Sequence, residues 1–553
     1  MTPEVEPAGS TRLEPTRLRP FDVYALIVLT CVAFFFRFFS PITLNFFAHP
    51  FDGPPVSFCI SSTPVDKEGD LGTLCGLAYP FTRGYKDENG QLSPDNGQVF
   101  DEVYFPADAY DDVKGMELCK PAMASGYQNG SCRYNYFDPE PPLAKLMIAA
   151  GEWSYGWFRA TFQGAKGDFI DLGYNTFGWR IASCLIGTLC VPLMYLLARR
   201  LWPNRVFAVA AAVLTSFDGM FFIQSRIGMI DIFPVFFIIL SYYLFLVHLQ
   251  SRTRKGSIAS LFLLGISLGA GVAAKWIVLA AFATIVFFMV ARPLSTLART
   301  NRFHLPGGVN LPVYASLAIV ALVAIPVTIY LASWIPFFAR GQFHNFADLV
   351  RYNYDSYHYH ATLVATHPYG SPWWSWPFLA RPVLYYAEYS GLGIDQFTGQ
   401  PLIARISNLG NPWIWWTSLP CLALLPYFVI RYKSFPAAVI LVGFVTQYLP
   451  WAPITRVLFI YEMIGGLIFM VLALAFVLGQ IAEHWPRWGR RVAVAHLGLA
   501  VCFFLYFYPV WAAIPLSTSA WYAGPGTPPW GPKIWLTNCN DHPEIKPAIF
   551  CWN

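Results

Sequence analysis

The sequence predicts an all-α polytopic membrane protein. Three observations carry that expectation. The 553-residue chain is 56% hydrophobic and only 12% charged, whereas soluble domains carry roughly 25% charged residues. Apolar runs long enough to cross a bilayer recur along most of its length. Arginines and lysines gather between alternate runs, as the positive-inside rule requires. The formal net charge of +5 is small for this length and no basic stripe is interleaved with aromatics, so nucleic acid is not an expected partner.

A spanning helix needs about 20 mostly apolar residues. The polar stretch 1–20 reads as a cytoplasmic tail, and the run Tyr24–Phe39 after it as an anchor rather than a cleaved leader. Residues 40–177 form a first outer segment with no comparable span. Within it, Leu143–Phe162 mixes Lys145, Glu152 and Arg159 with Leu, Met, Trp and Phe, which suits a helix lying in the interface. Further spans are expected near Gly178–Leu201, Val206–Ile223, Met229–Leu249, Ser257–Ala274, Ile277–Val290 and Leu311–Trp334. A second outer segment, 335–410, is crowded with Trp, Tyr, His and Pro. Spans near Pro412–Ile430, Phe435–Trp451, Val457–Leu478 and Val492–Trp511 follow, about eleven in all. The expected division is a catalytic membrane module over 21–430, carboxyl-terminal membrane helices over 431–511 and an extracytoplasmic tail over 512–553.

Two independent signals orient the chain. The expected inner loops carry Arg12, Arg17 and Arg19; Arg199, Arg200 and Arg205; Arg252, Arg254 and Lys255; Arg292, Arg299 and Arg302; Arg431 and Lys433; and Arg487, Arg490 and Arg491. Of eleven cysteines, Cys31, Cys184, Cys190, Cys421 and Cys502 lie in apolar runs, where a thiol fills space. The other six lie close together in polar segments and read as local disulfides Cys59–Cys75, Cys119–Cys132 and Cys539–Cys551, although six cysteines allow about 15 pairings. Disulfides need an oxidising compartment. Both signals put the amino terminus inside and the carboxyl terminus outside; the membrane is expected to be the plasma membrane.

Chemistry concentrates on the outer side. Val99-Phe100-Asp101-Glu102-Val103-Tyr104-Phe105 sets two carboxylates among apolar residues. Partial burial raises a carboxyl pKa and a nearby cation lowers it, so such a pair can be tuned for base work; a helix-start turn is the structural alternative. Arg180, Lys275 and Arg456 fall at the outer ends of spans and Arg226 and Asp231 in the short outer turn between two of them, where ionisable groups are costly and functional by default; Arg381 follows the aromatic run of the second outer segment and also faces outward. An Arg226–Asp231 ion pair is the structural alternative for Asp231. Cations on that face need a counter-charge, either protein carboxylates or a phosphate at headgroup level. His344, His358, His360 and His367 are read as interface packing rather than metal ligands, since no carboxylate stands at metal spacing. A divalent cation remains open. No phosphate loop, dinucleotide fingerprint or nucleophile elbow occurs.

These residues fall into ordered motifs: Phe100-Asp101-Glu102-Val103, Pro141-Pro142-Leu143-Ala144-Lys145, Gly178-Trp179-Arg180-Ile181, Gln224-Ser225-Arg226 through Asp231-Ile232-Phe233, and Lys275-Trp276. Further on stand His360-Ala361-Thr362-Leu363, His367-Pro368-Tyr369, Ser371-Pro372-Trp373-Trp374-Ser375-Trp376-Pro377 through Arg381-Pro382-Val383, Leu409-Gly410-Asn411-Pro412 and Tyr448-Leu449-Pro450-Trp451. From about Phe100 to the tenth span the chain resembles the protein O-mannosyltransferases, membrane glycosyltransferases of the GT-C fold that use a polyprenyl-phosphate mannose donor.

The resemblance implies that Asp101 is the catalytic base, with Glu102 ordering the acceptor and Asp231 a second outer-loop acid. It implies that Arg180, Lys275, Arg456, Arg226 and Lys145 lie near the lipid phosphate, and that His360, His367, Trp373, Trp374 and Arg381 contact donor or acceptor. The expected acceptor is a Ser or Thr hydroxyl of a secreted protein handed over by the secretion translocon, with inversion from a β-linked donor to an α-linked product. The outer loops are too short for the β-trefoil (MIR) domain of eukaryotic members, so the resemblance is to the bacterial type. Two positions depart from the family's pattern: Glu140 stands before Pro-Pro and Glu462 after Tyr461, where members often have His. A GT-C transferase moving aminoarabinose onto lipid A, or a transporter, are the alternative readings. A transporter would hold its charges near the bilayer midplane.

Overall fold

The computed structural model describes residues 18–38, 99–114, 138–174, 176–300, 305–389, 393–395, 397–522, 531–536 and 550–552. Nine helices among them are long and apolar enough to cross a membrane, and two shorter apolar helices, Arg205–Ser216 and Phe435–Trp451, accompany them. Nine of the eleven expected spans fall on the long helices, with shifted ends, and the expected spans 206–223 and 435–451 fall on the two shorter ones.

In chain order the helices are α1 (Pro20–Phe38), α2 (Phe105–Lys114), α3 (Leu143–Phe162), α4 (Phe169–Gly173), α5 (Thr176–Leu201), α6 (Arg205–Ser216), α7 (Gly219–Gln224), α8 (Ile232–Leu249), α9 (Arg254–Ala274) and α10 (Val278–Thr300). Then follow α11 (Leu311–Ser333), α12 (Ile335–Ala339), α13 (Phe346–Thr362), α14 (Pro412–Tyr432), α15 (Phe435–Tyr448), α16 (Ile464–His484), α17 (Pro486–Ala512) and α18 (Thr518–Trp521). Helix α16 is the buried centre of the bundle: 89% of its apolar window is covered, against 17% for α11. A helix apolar all round belongs inside, and the exposed apolar flanks of α1 and α11 suit lipid.

Helix α3 has the character expected of an interfacial element. Ala144, Ile148, Glu152 and Tyr155 are buried, while Trp153, Trp157, Phe158 and Phe162 are exposed. Aromatic side chains on one face fit the headgroup level.

The expected span 206–223 is broken. Phe217 and Asp218 interrupt it, and Asp218 accepts from the Phe221 and Asn411 amides at 3.1 and 3.0 Å and from Trp415 Nε1 at 2.8 Å. A buried carboxylate that satisfies amides from two elements ends one helix and starts the next. The span expected from Val457 becomes helical only at Ile460, in a short 3-10 turn leading into α16.

The second outer segment also contains strands, which helical hydropathy does not reveal. β1 (Val383–Glu388) pairs antiparallel with β2 (Leu402–Asn408), and β2 with β3 (Leu516–Ser517). The register slips between Leu384 and Tyr386. This bulge is a device that re-aims side chains, and it adjoins Tyr385, whose ring reaches the site described below.

Chain direction places the charges. The arginine-bearing loops join α5 to α6, α8 to α9, α14 to α15 and α16 to α17; the opposite ends of α8, α9, α15 and α16 meet Asp231, Lys275, Trp451 and Ile460. The five cysteines assigned to apolar packing are free thiols. Cys551 is buried and its sulfur takes a bond from Arg381 Nη1 at 3.1 Å. Cys59, Cys75, Cys119, Cys132 and Cys539 lie outside the described residues.

Candidate active site

The acid pair opens a single 3-10 turn, Phe100–Val103, and its two carboxylates have different surroundings. Glu102 is fully buried. It accepts from the Val99 amide at 2.8 Å, the Gly228 amide at 2.6 Å and Arg180 Nε at 2.6 Å, and Arg180 Nη2 closes a two-pronged ion pair. Two guanidinium and two amide donors satisfy the Glu102 carboxyl group, which thereby holds the turn. Gly228 is required here: a Cβ would stand 2.7 Å from the Trp179 ring and 3.4 Å from Glu102 Oε1.

Phe100 sits in the left-handed backbone region, with φ +52°. For an aromatic residue this conformation costs about 1–3 kcal/mol and persists only where its surroundings impose it. Its ring stacks on Tyr385 at 4.3 Å and meets Tyr461 at 6.0 Å. The Tyr385 hydroxyl accepts from Gln224 Nε2 and Asn408 Nδ2, each at 2.8 Å. Clamped on one side by Tyr385 and on the other by Arg180–Glu102, the turn holds Asp101 toward Asp231 and Lys275. Burial first, and then the charge of Asp231, push the Asp101 carboxyl up to about 7, while Lys275 pulls it back in part. A carboxyl tuned to neutrality is suited to accept a proton in a reaction near pH 7.

Asp231 caps the amino end of α8, and Lys275 follows the carboxyl end of α9. Each charge therefore complements its end of the helix dipole. Lys275 Nζ donates to Asp231 Oδ1 at 2.8 Å and lies 3.8 Å from Glu140 Oε1. Burial pulls its ammonium down, but Asp231 and Glu140 more than offset that, and it stands above the usual lysine range. The Arg226–Asp231 pair considered from sequence does not form. His360 Nε2 is 3.9 Å from Glu140 Oε1, and burial holds this imidazole below its ordinary pKa, with Arg456 and Lys275 adding to the effect. Arg456 Nη2 binds Glu462 Oε1 at 2.7 Å, and Glu462 Oε2 accepts the Phe459 amide at 3.2 Å. Asp231, Lys275 and Glu462 line one pocket with the apolar side chains of Val235, Ile238, Ile277, Trp451 and Ile464.

The structure thus gathers Asp101, Asp231, Lys275, Arg456 and His360. It commits the other expected phosphate-binding cations elsewhere. Arg180 is fully buried against Glu102. Arg226 Nε donates to the Arg37 carbonyl at 3.2 Å, and its guanidinium packs on the Phe222 ring. Lys145 is buried in an ion pair with Asp138 and donates to the Glu140 carbonyl at 2.9 Å. These three side chains brace the site's walls. Arg381 donates through Nε to the Pro368 carbonyl at 2.7 Å and through Nη1 to Cys551, so it ties the His367 loop to the chain's end.

His367 packs on Phe459, which stacks on Tyr461. Trp373 packs on Tyr448, and Trp374 is half exposed beside Phe550. Sequence reasoning missed Tyr385, Gln224 and Asn408 as support, and gave Glu140 and Glu462 no role. The signal for the last two was their departure from the histidine pattern. Among the described residues no group of three or more His, Cys, Asp or Glu side chains is placed to hold a metal ion.

A bundle of apolar helices with acids and cations gathered at one end is a polytopic membrane protein with an ionisable site at its rim. Residues 117–339 match the sequence profile "dolichyl-phosphate-mannose-protein mannosyltransferase" and residues 345–525 match "C-terminal four TMM region of protein-O-mannosyltransferase". The acid pair at 101–102 precedes the first match. The polyprenol-phosphate-mannose–protein mannosyltransferase of Mycobacterium tuberculosis is 27% identical over 452 residues, covering 70% of this chain and 80% of the relative. Its counterpart in Corynebacterium glutamicum is 26% identical over 472 residues, covering 74% and 84%. The S. cerevisiae protein O-mannosyltransferase Pmt1–Pmt2 complex, bound to its sugar donor, superposes with a TM-score of 0.67 at 15% identity, over 92% of this chain and 93% of that one. The chain belongs to the protein O-mannosyltransferase family and has its fold.

Proposed function

We propose that this protein transfers mannose from a polyprenyl-phosphate donor to Ser or Thr hydroxyls of proteins, with inversion at the sugar carbon. One observation carries the assignment of chemistry. Asp101, raised to about 7 by burial and by the charge of Asp231, lies within electrostatic range of the Lys275–Asp231 pair, and that pair lines an apolar-walled pocket. The acceptor oxygen attacks the anomeric carbon, Asp101 takes the hydroxyl proton, and the bond to the donor phosphate breaks. Polyprenyl phosphate leaves with the electron pair. Lys275 and Arg456 stabilise the charge that develops on it. Asp231 holds Lys275 in place, and Glu102 with Arg180 holds the turn that presents Asp101. His360, His367, Trp373 and Trp374 form the side from which acceptor or sugar enters; Arg381 supports that side from behind.

The apolar pocket wall, built from α8, α16, Ile277 ahead of α10 and Trp451 after α15, suits the first isoprene units of a lipid entering from the bilayer. The arginine loops support an orientation with the amino terminus in the cytoplasm and the site outside the plasma membrane. There a newly secreted chain leaving the translocon would meet it. The division at 21–430, 431–511 and 512–553 and the three cysteine pairings belong to the same proposal. Non-reducing peptide mapping tests the pairings.

The direct test is transfer of mannose from polyprenyl-phosphate mannose to a Ser/Thr peptide by the purified protein. Asp101→Asn should lose transfer while still binding donor; full transfer by that variant refutes the assignment. Loss of hexose from secreted Ser/Thr peptides on deleting the gene supports the reading, whereas altered lipid A would favour the aminoarabinose alternative.

A further inference from the structure

The candidate site holds more acid than its reaction needs. Asp101, Asp231, Glu140 and Glu462 surround only two obligate cations, Lys275 and Arg456. Asp231 is bonded to Lys275 at 2.8 Å and belongs to its helix cap. Glu140 and Glu462 differ from it. Glu140 lies 3.8 Å from Lys275 and 3.9 Å from His360, within Coulombic reach but beyond hydrogen-bond length of both. Glu462 occupies Arg456 at 2.7 Å and lines the pocket beside Lys275. Lys275, Glu140 and Arg456 each keep roughly a fifth of their side chains open, so a ligand can reach the charges these carboxylates cover.

Resting on the reading above, we infer that Glu140 and Glu462 are release residues: carboxylates that stand in for the lipid phosphate on Lys275 and Arg456 and compete with it. The chemistry of the two lipid species gives the exchange a purpose. The donor is a phosphodiester with one negative charge. Breaking its bond to the sugar leaves a phosphomonoester, which carries up to two. Two cations that stabilise the departing phosphate would hold this product harder than the donor, and turnover would stall at release. Carboxylates tethered beside the same cations recapture them as the product lipid moves off. Glu462 is suited to this: its second oxygen stays on the Phe459 amide, so it pivots about a fixed point rather than swinging free. Glu140 has a comparable anchor, because Lys145 holds its carbonyl at 2.9 Å and Tyr352 exchanges hydrogen bonds with the Asp138 backbone.

The test uses the full chain with Glu462→Gln and, separately, Glu140→Gln, which keep shape and remove charge. Binding of polyprenyl phosphate is measured without turnover, and steady-state transfer is measured beside it. Expected are a roughly three- to tenfold tighter hold on polyprenyl phosphate and a lower donor KM, the scale of one partly exposed ion pair. The kcat should fall and product inhibition should strengthen. A merely structural role would raise KM or leave product inhibition unchanged. Wild-type-like binding in both variants overturns the inference while leaving the transferase reading intact. If the wild-type protein binds no polyprenyl phosphate, both fall together.

Discussion

Lys275 is the charge on which the candidate site turns, so its removal is the most informative change. Lys275→Met keeps the length of the side chain and deletes its ammonium. At 2.8 Å from Asp231 Oδ1, the Coulomb attraction in an effective dielectric of about 20 has a ceiling of about 6 kcal/mol. Only part of that reaches the reaction, because Asp231 and Glu140 already share the charge in the resting site. Loss of one preorganised donor facing a departing anion costs about 3–4 kcal/mol, or 10²–10³ in rate. A second effect separates this account from simple misfolding. Lys275 lowers the Asp101 pKa and Asp231 raises it. Without the lysine, the raising influence is unopposed, and the acid limb of the rate profile moves to higher pH, by about one unit for each 1.4 kcal/mol of lost attraction. The assay is mannose transfer at saturating acceptor across pH 6 to 9, with Lys275→Arg as a charge-preserving control. A Lys275→Met protein that keeps more than a third of the wild-type rate, with its acid limb unmoved, would refute the reasoning.

Wild-type transfer should rise with pH through about 7, because the base works only when ionised and Asp101 titrates there; a flat profile from pH 6 to 8 would argue for another base. The same shift has a consequence for stability. A carboxyl raised from 3.8 to about 7 by the fold favours its protonated form, so that stabilisation is full below pH 4 and is lost as pH rises through 7, up to about 4 kcal/mol. Asp101→Asn, which never ionises, should therefore melt higher than wild type at pH 8, with the gap narrowing as pH falls and closing near pH 4, as differential scanning fluorimetry in detergent would show. Glu102→Ala strands the Arg180 guanidinium in a buried site and should cost about 3–5 kcal/mol, seen as loss of monodisperse protein on size exclusion. Replacing Arg180 as well should recover part of it, which would not happen if Glu102 acted only on the acceptor.

The hydrophobic plan was legible because it is local. Each span is a run of neighbours, and the bilayer accepts helices whatever lies beside them, so the number and order of spans follow from hydropathy. Boundaries shifted where a polar residue serves tertiary contacts, as Asp218 does in ending α6 against Asn411 and Trp415. The strands of the second outer segment were not visible there. Val383–Glu388 alternates weakly, and its pairing depends on residues at 402–408 and 516–517.

The acid pair and the charged rim were also legible, since ionisable groups stand out against apolar runs. What each charge does was not. In sequence, Arg180, Arg226, Lys145, Lys275 and Arg456 are alike: cations at or near the outer ends of helices. Only the packed structure shows that Glu102 consumes Arg180 and Asp138 consumes Lys145, while Lys275 faces Asp231 across the ends of two helices. Composition and order of residues determined that this chain is a polytopic membrane protein, in what order its apolar helices come, and that its reactive groups gather at one set of helix ends. Tertiary structure decided which acid is tuned and which is spent. Coulomb energy and desolvation depend on distance and burial, and these are set by which helices meet, not by how far apart two residues stand along the chain.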